Sequence, residues 1–171
     1  MENLISVNTE KCVACRTCEL ECAVSHSKTK NLLTALFEDP RPQKRIFVER
    51  SGDLNFPLQC RHCEEPPCQK VCPTDALSKP SSTDPVLLDD EKCIGCKFCV
   101  IACPFGVVVL HRDNNKIVKC DLCSNLEEQE LPRCVQSCPT NALDYIPSDE
   151  LTKKKRREFM VEFTEDIQSS T

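Results

Sequence analysis

The sequence predicts an α+β fold made of short strands and short helices, and three observations support this prediction. Cysteine accounts for 16 of the 171 residues, whereas tryptophan is absent and tyrosine occurs once. Hydrophobic residues make up 40% of the chain when cysteine is counted and about 30% without it, which is little for a core of this size. The apolar stretch at residues 106–110 has the length of a strand. Metal centres bound by cysteine would complete such an interior.

The density of cysteine indicates either disulfide bonds in a secreted protein or metal sites. Residues 1–30 contain neither the basic segment nor the unbroken apolar segment of a secretory signal. The sequence also has no run of about 18 apolar residues that would span a bilayer. We therefore expect a cytoplasmic protein without a membrane span, in which the thiols bind metal instead of forming disulfides.

The cysteines fall into four groups of four, numbered here in chain order, with none left over. Every group opens with C-x2-C and closes with C-x3-C, so the sequence contains an internal repeat. Three groups end in Cys-Pro, whereas Ala23 follows the last cysteine of group one, which predicts a lost helix stop but no lost ligand. The groups are Cys12, Cys15, Cys18 and Cys22; Cys60, Cys63, Cys68 and Cys72; Cys93, Cys96, Cys99 and Cys103; and Cys120, Cys123, Cys134 and Cys138.

The regular elements between the cysteines are predicted to be short. A helix of one to three turns is expected after each cysteine loop. Residues 51–53 and 113–115 have the composition of hairpin turns. Terminal strands on either side of the cysteine repeats are candidates to pair with each other. Strands are predicted at residues 4–7, 46–49, 85–88, 107–110, 116–118 and 143–146.

These cysteine spacings suit [4Fe–4S] clusters, each of which needs four thiolates at the corners of a cube. In the bacterial run C-x2-C-x2-C-x3-C-P, the last cysteine binds the other cluster of a pair. The sequence therefore predicts four [4Fe–4S] clusters, with each group giving three ligands to its own cluster and one to a partner cluster. A structural zinc site is the alternative for group four, whose middle spacing is C-x10-C.

Two pairings of the groups are open. In the nested arrangement, which we favour, groups two and three form an inner unit and groups one and four form an outer unit around it. In the tandem arrangement, group one pairs with group two and group three with group four. Nesting predicts an outer ferredoxin-like unit of residues 1–50 and 116–147, an inner one of residues 51–115, and a C-terminal helix at residues 148–171.

The rest of the composition limits the function. A formal net charge of −5 argues against nucleic acid as a partner. The sequence has no G-x-G-x-x-G motif, no P-loop and only 3 glycines. His26 and His62 lie near cysteines and are expected to be structural, with tuning of a cluster potential as the alternative. The sequence therefore predicts an electron carrier that catalyses no reaction of its own.

Four stretches resemble one known family, the four-cluster ferredoxin subunits of the dimethyl-sulfoxide-reductase B and formate-hydrogenlyase B group. They are CVACRTCELEC, CRHCEEPPCQKVCPTDAL, CIGCKFCVIACPFGVVV and KCDLC…PRCVQSCPTNAL, so the resemblance covers residues 1–146. The resemblance implies the nested pairing. It implies clusters held by Cys12, Cys15, Cys18 and Cys138; by Cys120, Cys123, Cys134 and Cys22; by Cys60, Cys63, Cys68 and Cys103; and by Cys93, Cys96, Cys99 and Cys72.

The segment at residues 26–50 is similar to that of cytoplasmic members of this group. The resemblance implies electron transfer between a catalytic subunit of the formate dehydrogenase or carbon dioxide reductase type and a second redox protein such as a hydrogenase. A subunit of carbon monoxide dehydrogenase or aldehyde oxidoreductase is an alternative, and so is a free polyferredoxin. A zinc-stabilised interaction module is the third class of function to be considered.

Residues 148–171 predict a helix that begins near Ser148 with acidic residues in its first turn. Its apolar residues share one face. We expect this face either to cover the cluster domain or to dock on a partner or another copy, and a disordered tail is the third alternative. The resemblance to subunits of hydrogen-dependent carbon dioxide reductase, which forms filaments, implies docking on another copy. The apolar residues are Phe159, Met160, Phe163 and Ile167.

Overall fold

The computed structural model describes residues 3–126 and 130–169 of the chain. Within them it has eight strands and six helices, and the secondary structure is mixed and short, as predicted. In chain order the elements are β1 (Asn3–Val7), α1 (Thr17–Ser25), α2 (Leu32–Ala35), β2 (Ile46–Ser51), β3 (Leu54–Gln59), α3 (Pro67–Lys70), β4 (Leu77–Ser78), β5 (Leu87–Leu88), α4 (Phe98–Ala102), β6 (Val109–Leu110), β7 (Ile117–Val118), α5 (Arg133–Gln136), β8 (Leu143–Pro147) and α6 (Ser148–Ser169).

The strands form four antiparallel pairs: β1 with β8, β2 with β3, β4 with β5 and β6 with β7. The predicted pairing of the terminal strands is confirmed, with Asn3 opposite Pro147 and Val7 opposite Leu143. The predicted hairpins around residues 51–53 and 113–115 are also present. The strands predicted at residues 85–88 and 107–110 are only two residues long, and residues 85–86 and 107–108 are irregular.

A helix follows each cysteine loop, and in three of the four groups a proline limits its length. Helix α4 ends at Ala102, and Cys103 before Pro104 is extended, with φ −75° and ψ 114°. Because proline disfavours helical geometry in the preceding residue, the Cys-Pro pairs end these helices. Ala23 allows α1 to continue to Ser25, which makes it the longest of the cysteine helices. The lost helix stop predicted for group one is therefore confirmed.

Buried side chains form two separate cores, each of which includes cysteines. The first core is built around β1, β2 and β8 and contains Ile5, Ile46, Val48 and Leu143. The second core contains Leu77, Val86, Val108 and Ile117. Hairpin β2–β3 crosses the predicted unit boundary at residue 50 and hairpin β6–β7 the one at residue 115. The unit boundaries stay predictions.

The predicted C-terminal helix is present as α6. It begins directly after β8, and Lys154 Nζ lies 2.8 Å from Asp144 Oδ2 on that strand. Phe159 and Phe163 stack with their ring centroids 5.9 Å apart, and both are more than half exposed. Their exposure contradicts the expectation that this face covers the cluster domain. The side chain of Ile167 and residues 170–171 lie outside the described part of the protein. None of the described helices is both long and apolar enough to cross a membrane.

Candidate functional site

Cysteines of groups one and four meet in the first core. Cys18, Cys22 and Cys134 are buried there, and Cys12 and Cys138 pack against them. A small cavity brings the two ends of the chain together at the same place. It is lined by Cys12, Cys15, Cys18 and Cys138, together with residues that include Val48 and Leu143.

Cysteines of groups two and three meet in the second core. Cys68 and Cys99 are buried in it, and Cys72, Cys93 and Cys103 pack against the same residues. Helix α3 of group two also lies beside helix α4 of group three. The first core therefore contains cysteines of the first and last groups, and the second core contains cysteines of the two middle groups. The assignment of individual ligands stays a prediction.

Left-handed backbone conformations recur inside all four cysteine groups. This conformation costs free energy for any residue with a Cβ. Left-handed residues next to ordinary helical ones are typical of backbone nests, whose N–H groups suit an anion. The left-handed residues in the groups are Ala14, Arg16, His62, Gly95, Lys97, Leu122 and Cys123.

Gly95 lies in the cysteine loop of group three, where neighbouring backbone leaves no room for a side chain. Its φ is +69°, and a Cβ placed there would lie 2.2 Å from the carbonyl oxygen of Asn115. The turn of hairpin β6–β7 therefore presses directly on the loop of group three.

Backbone N–H groups also point at individual sulfur atoms. Such contacts stabilise thiolates and cluster sulfur, and they are among the features that set cluster potentials. The donor–sulfur distances are 3.3 Å for Arg45 N to Cys22 Sγ, 3.5 Å for His62 N to Cys60 Sγ, 3.4 Å for Leu122 N to Cys120 Sγ and 3.2 Å for Ala142 N to Cys138 Sγ.

Burial raises the pKa values of three thiols in the first core. It raises the pKa of Cys22 to about 12 and that of Cys18 to about 11. Burial also raises the pKa of Cys134, and the nearby thiols of groups one and four add to that shift. These thiols would be protonated at neutral pH unless a metal displaced the proton. A cationic iron centre therefore fits this set of sulfur donors.

The last cysteines of groups two and four both have a lowered pKa. Burial alone would raise the pKa of Cys138, but hydrogen bonds from Ala142 and Thr140 outweigh it and lower the value. For Cys72, the bonds from Thr74 and Leu77 outweigh burial in the same way. The repeated sequences CPTDAL and CPTNAL therefore build the same sulfur environment twice.

A polar network holds the segment before β2 against group four. Asp121 Oδ1 lies 3.1 Å from His26 Nε2, and Asp121 Oδ2 lies 2.5 Å from Arg45 Nη1. His26 Nδ1 also lies 2.7 Å from the carbonyl oxygen of Cys22. The network links residues 26–45 to both Cys22 and Cys120. These contacts support the structural role expected of His26, and its Nδ1 also lies 3.9 Å from Cys22 Sγ.

Only Cys15 and Cys96 of the sixteen cysteines are exposed. They are the second cysteines of groups one and three, so they belong to different cores. Apolar side chains are exposed close to each of them in the sequence: Val13 and Leu20 near Cys15, and Ile94, Phe98, Ile101 and Phe105 near Cys96.

Sequence patterns missed several residues of this site. Arg45 lies 23 residues beyond Cys22, in a segment without periodicity, so nothing indicated its contact with that sulfur. Lys119 precedes Cys120 and is only 2% exposed, although lysine is seldom buried. The sequence shows apolar residues near Cys96, but it did not predict that their side chains are exposed.

Comparison with known proteins agrees with the cysteine pattern. A family model described as a 4Fe-4S dicluster domain matches residues 53–146, which contain groups two, three and four. This match confirms [4Fe–4S] clusters as the cofactor and favours iron over zinc at group four. The sixteen cysteines are consistent with four clusters.

Two curated relatives from Escherichia coli (strain K12) extend the similarity to most of the sequence. Electron transport protein HydN is 37% identical over 175 residues, covering 92% of this protein and 97% of its own length. The B subunit of anaerobic dimethyl sulfoxide reductase is 34% identical over 154 residues, covering 86% of this protein and 75% of its own length. These relatives confirm the resemblance to the dimethyl-sulfoxide-reductase B group.

A solved structure is also similar. One polypeptide of the active site complex BamBC of benzoyl coenzyme A reductase aligns with 99% of this protein and 96% of its own length, with 22% identity and a TM-score of 0.44. A TM-score this low supports no conclusion about function.

Proposed function

Because this protein belongs to the 4Fe-4S dicluster domain family, we propose that it is a non-catalytic electron-transfer subunit of a cytoplasmic oxidoreductase complex. It relays single electrons through four [4Fe–4S] clusters, between a catalytic subunit and a second redox protein. The similarity to electron transport protein HydN and to the B subunit of a dimethyl sulfoxide reductase supports this role.

The proposal includes the nested arrangement of clusters. Each bound cluster supplies a centre that accepts and releases one electron. The grouping of cysteines into two cores supports ligand sets in which each group lends its last cysteine to its partner. The outer sets are Cys12, Cys15, Cys18 with Cys138 and Cys120, Cys123, Cys134 with Cys22. The inner sets are Cys60, Cys63, Cys68 with Cys103 and Cys93, Cys96, Cys99 with Cys72.

The exposure of Cys15 and Cys96 is the observation that carries the relay between two partners. Electrons need a short path between a partner and the first cluster that they reach. An exposed ligand in each core, with exposed apolar side chains near it, gives one such contact point in each unit. We propose that the two partners dock at these two points.

The partners follow from the resemblance at residues 26–50. We propose a catalytic subunit of the formate dehydrogenase or carbon dioxide reductase type at one point and a hydrogenase or another ferredoxin-like protein at the other. Anaerobic affinity purification of the native complex, followed by identification of its subunits, tests this assignment. Recovery of a carbon monoxide dehydrogenase or an aldehyde oxidoreductase instead would replace it.

A charge placed beside Cys96 tests the docking point. Ile101 is 81% exposed on α4, so Ile101→Glu should leave folding and iron content unchanged. It should lower the rate of electron transfer with one partner at least several-fold, because it places a charge in an apolar contact. Leu54→Glu is the control, since Leu54 is also exposed but lies at the β2–β3 turn. Equal rates for the two variants would contradict docking near Cys96.

A free electron carrier is the second candidate. The nearly full-length match to a protein named for electron transport favours it. Gel filtration of native extract under anaerobic conditions separates the two, because a free carrier elutes near its own mass of 19.3 kDa. Elution in a larger complex that also contains other polypeptides supports the subunit role.

We also propose that α6 joins copies of the protein. Its stacked Phe159 and Phe163 are exposed on the single copy. Deletion of residues 148–171 should reduce the size of the assembly measured by light scattering and leave the visible spectrum intact. An assembly of unchanged size contradicts this role for α6.

A further inference from the structure

The two cores approach each other where groups two and four meet. Cys60 and His62 of group two line a cavity of about 380 Å³ together with Ile5 and Leu122 of the first core. The backbone N–H of Leu122 lies 3.4 Å from Cys120 Sγ, so a group four sulfur atom lies beside the same cavity. Cysteines of groups two and four therefore approach each other at the junction of the cores.

His62 lies at this junction with one ring nitrogen occupied. The residue is only 4% exposed, and its Nδ1 accepts a hydrogen bond of 3.0 Å from the backbone N–H of Val86. A nitrogen that accepts this bond carries no proton. In the neutral imidazole the proton is then on Nε2, so that Nε2 is a donor.

Val86, which donates to His62, also holds a buried lysine beside the ring. Lys119 is 2% exposed, and its ammonium group donates to the carbonyl oxygens of Val86 and Cys120. Val86 therefore fixes His62 through its N–H and Lys119 through its carbonyl.

The donor on Nε2 has no acceptor among the residues that the structure describes. Buried N–H groups are almost always satisfied, so an acceptor is expected at this point. Sulfur of a bound cluster is an acceptor of the required kind, and the sulfur atoms of two groups lie at this junction.

We propose that His62 Nε2 donates a hydrogen bond to a cluster sulfur at the junction of groups two and four, and that this bond raises the reduction potential of that cluster. The inference rests on the proposed function, because it requires clusters at both groups. A hydrogen bond to sulfur stabilises the more negative, reduced cluster. By this proposal His62 contacts a cluster directly at the junction of the two cores.

Two variants distinguish the acceptor role of Nδ1 from the donor role of Nε2. His62→Asn retains an acceptor at the place of Nδ1 but has no donor at the place of Nε2. Asparagine also tolerates the left-handed φ of 46° at this position. His62→Gln carries an amide that reaches the place of Nε2 and can donate there. His111→Asn is the matched control, because His111 Nδ1 also accepts a backbone N–H, 3.2 Å from Asp113 N, in an exposed turn.

The measurement is a redox titration of the anaerobically purified protein, followed by EPR spectroscopy, with iron content as a parallel readout. We expect His62→Asn to lower the midpoint potential of at least one cluster at unchanged iron content. His62→Gln and His111→Asn should remain close to the unchanged protein. Unchanged potentials in His62→Asn, or an equal fall in His62→Gln, would overturn the inference.

A second readout serves if His62→Asn binds too little iron to titrate. Pulsed EPR of the unchanged protein that carries 15N-labelled histidine should show a histidine nitrogen coupled to a cluster, and His62→Gln should lower this coupling. An identical coupling in His62→Gln overturns the inference while the iron content still supports the proposed function. A protein that binds no iron overturns both.

Discussion

Asp121 accepts hydrogen bonds from His26 and from the guanidinium group of Arg45, and so connects residues 26–45 to group four. Burial, the largest influence, would raise the pKa of Asp121, but the His26 bond and the Arg45 charge outweigh it and hold the value below its usual range. The carboxylate is therefore ionised throughout the neutral range. Its negative charge also offsets that of Arg45 beside Cys22.

Replacement of Asp121 should weaken the binding of the group four cluster. Asp121→Asn removes a charge from a mostly buried network, so we expect a loss of about 1–3 kcal/mol in stability. The measurement is the thermal loss of visible absorbance under anaerobic conditions. Asp89→Asn is the control, because Asp89 forms an exposed pair with Lys92, which is worth little. Equal melting of both variants would contradict the role of Asp121.

A substitution at Gly95 tests the contact between the β6–β7 turn and the loop of group three. Gly95 and Gly106 both have positive φ, +69° and +63°, so alanine is strained at either position. Only at Gly95 does the new Cβ clash with a backbone oxygen. We expect Gly95→Ala to lose the group three cluster on milder heating than Gly106→Ala, followed by visible absorbance. Identical behaviour would show that the β6–β7 turn does not press on this loop.

At the scale of elements, the pairing of β1 with β8 closes the first core. Ile5 on β1 is 5% exposed and packs with Cys18, Cys22 and Leu143. The two ends of the chain therefore contribute to one site. The Cys-Pro pairs act at the same scale, since they end three cysteine helices before the last cysteine of each group.

A charge inside the first core should affect only one unit. We expect Ile5→Asp to lower the iron content by about half, because a buried charge without a partner disrupts the packing around groups one and four. Ser6→Asp is the control, since Ser6 is only partly buried on the same strand. Quantification of iron and sulfide checks the result. Full iron content in Ile5→Asp would contradict the dependence of those groups on β1.

The parts that the sequence predicted are those that depend on local chemistry. Cysteine spacing, turn residues at 51–53 and 113–115, and the Cys-Pro pairs determine nearby geometry, and the corresponding loops, hairpins and helix ends are present. The contact of Arg45 with Cys22 and the burial of Lys119 depend on packing between distant segments. No periodic sequence pattern predicts such packing, so the roles of these two residues are seen only in the structure.

At the scale of the whole molecule, the clusters and the fold should depend on each other. Cysteines form part of both cores, and many thiols there have raised pKa values because of burial. Removal of iron would leave these cores without their centres. We expect chelation to abolish most of the native circular dichroism. Survival of the native signal without iron would show that side-chain packing alone maintains the fold.

The count of clusters tests the central claim most directly. Iron and acid-labile sulfide should be measured on the anaerobically purified protein, with Mössbauer spectroscopy to identify the iron species. Four [4Fe–4S] clusters predict about 16 iron and about 16 sulfide per polypeptide, all in cubane form. About half of this content, or zinc at group four, would contradict a relay of four clusters.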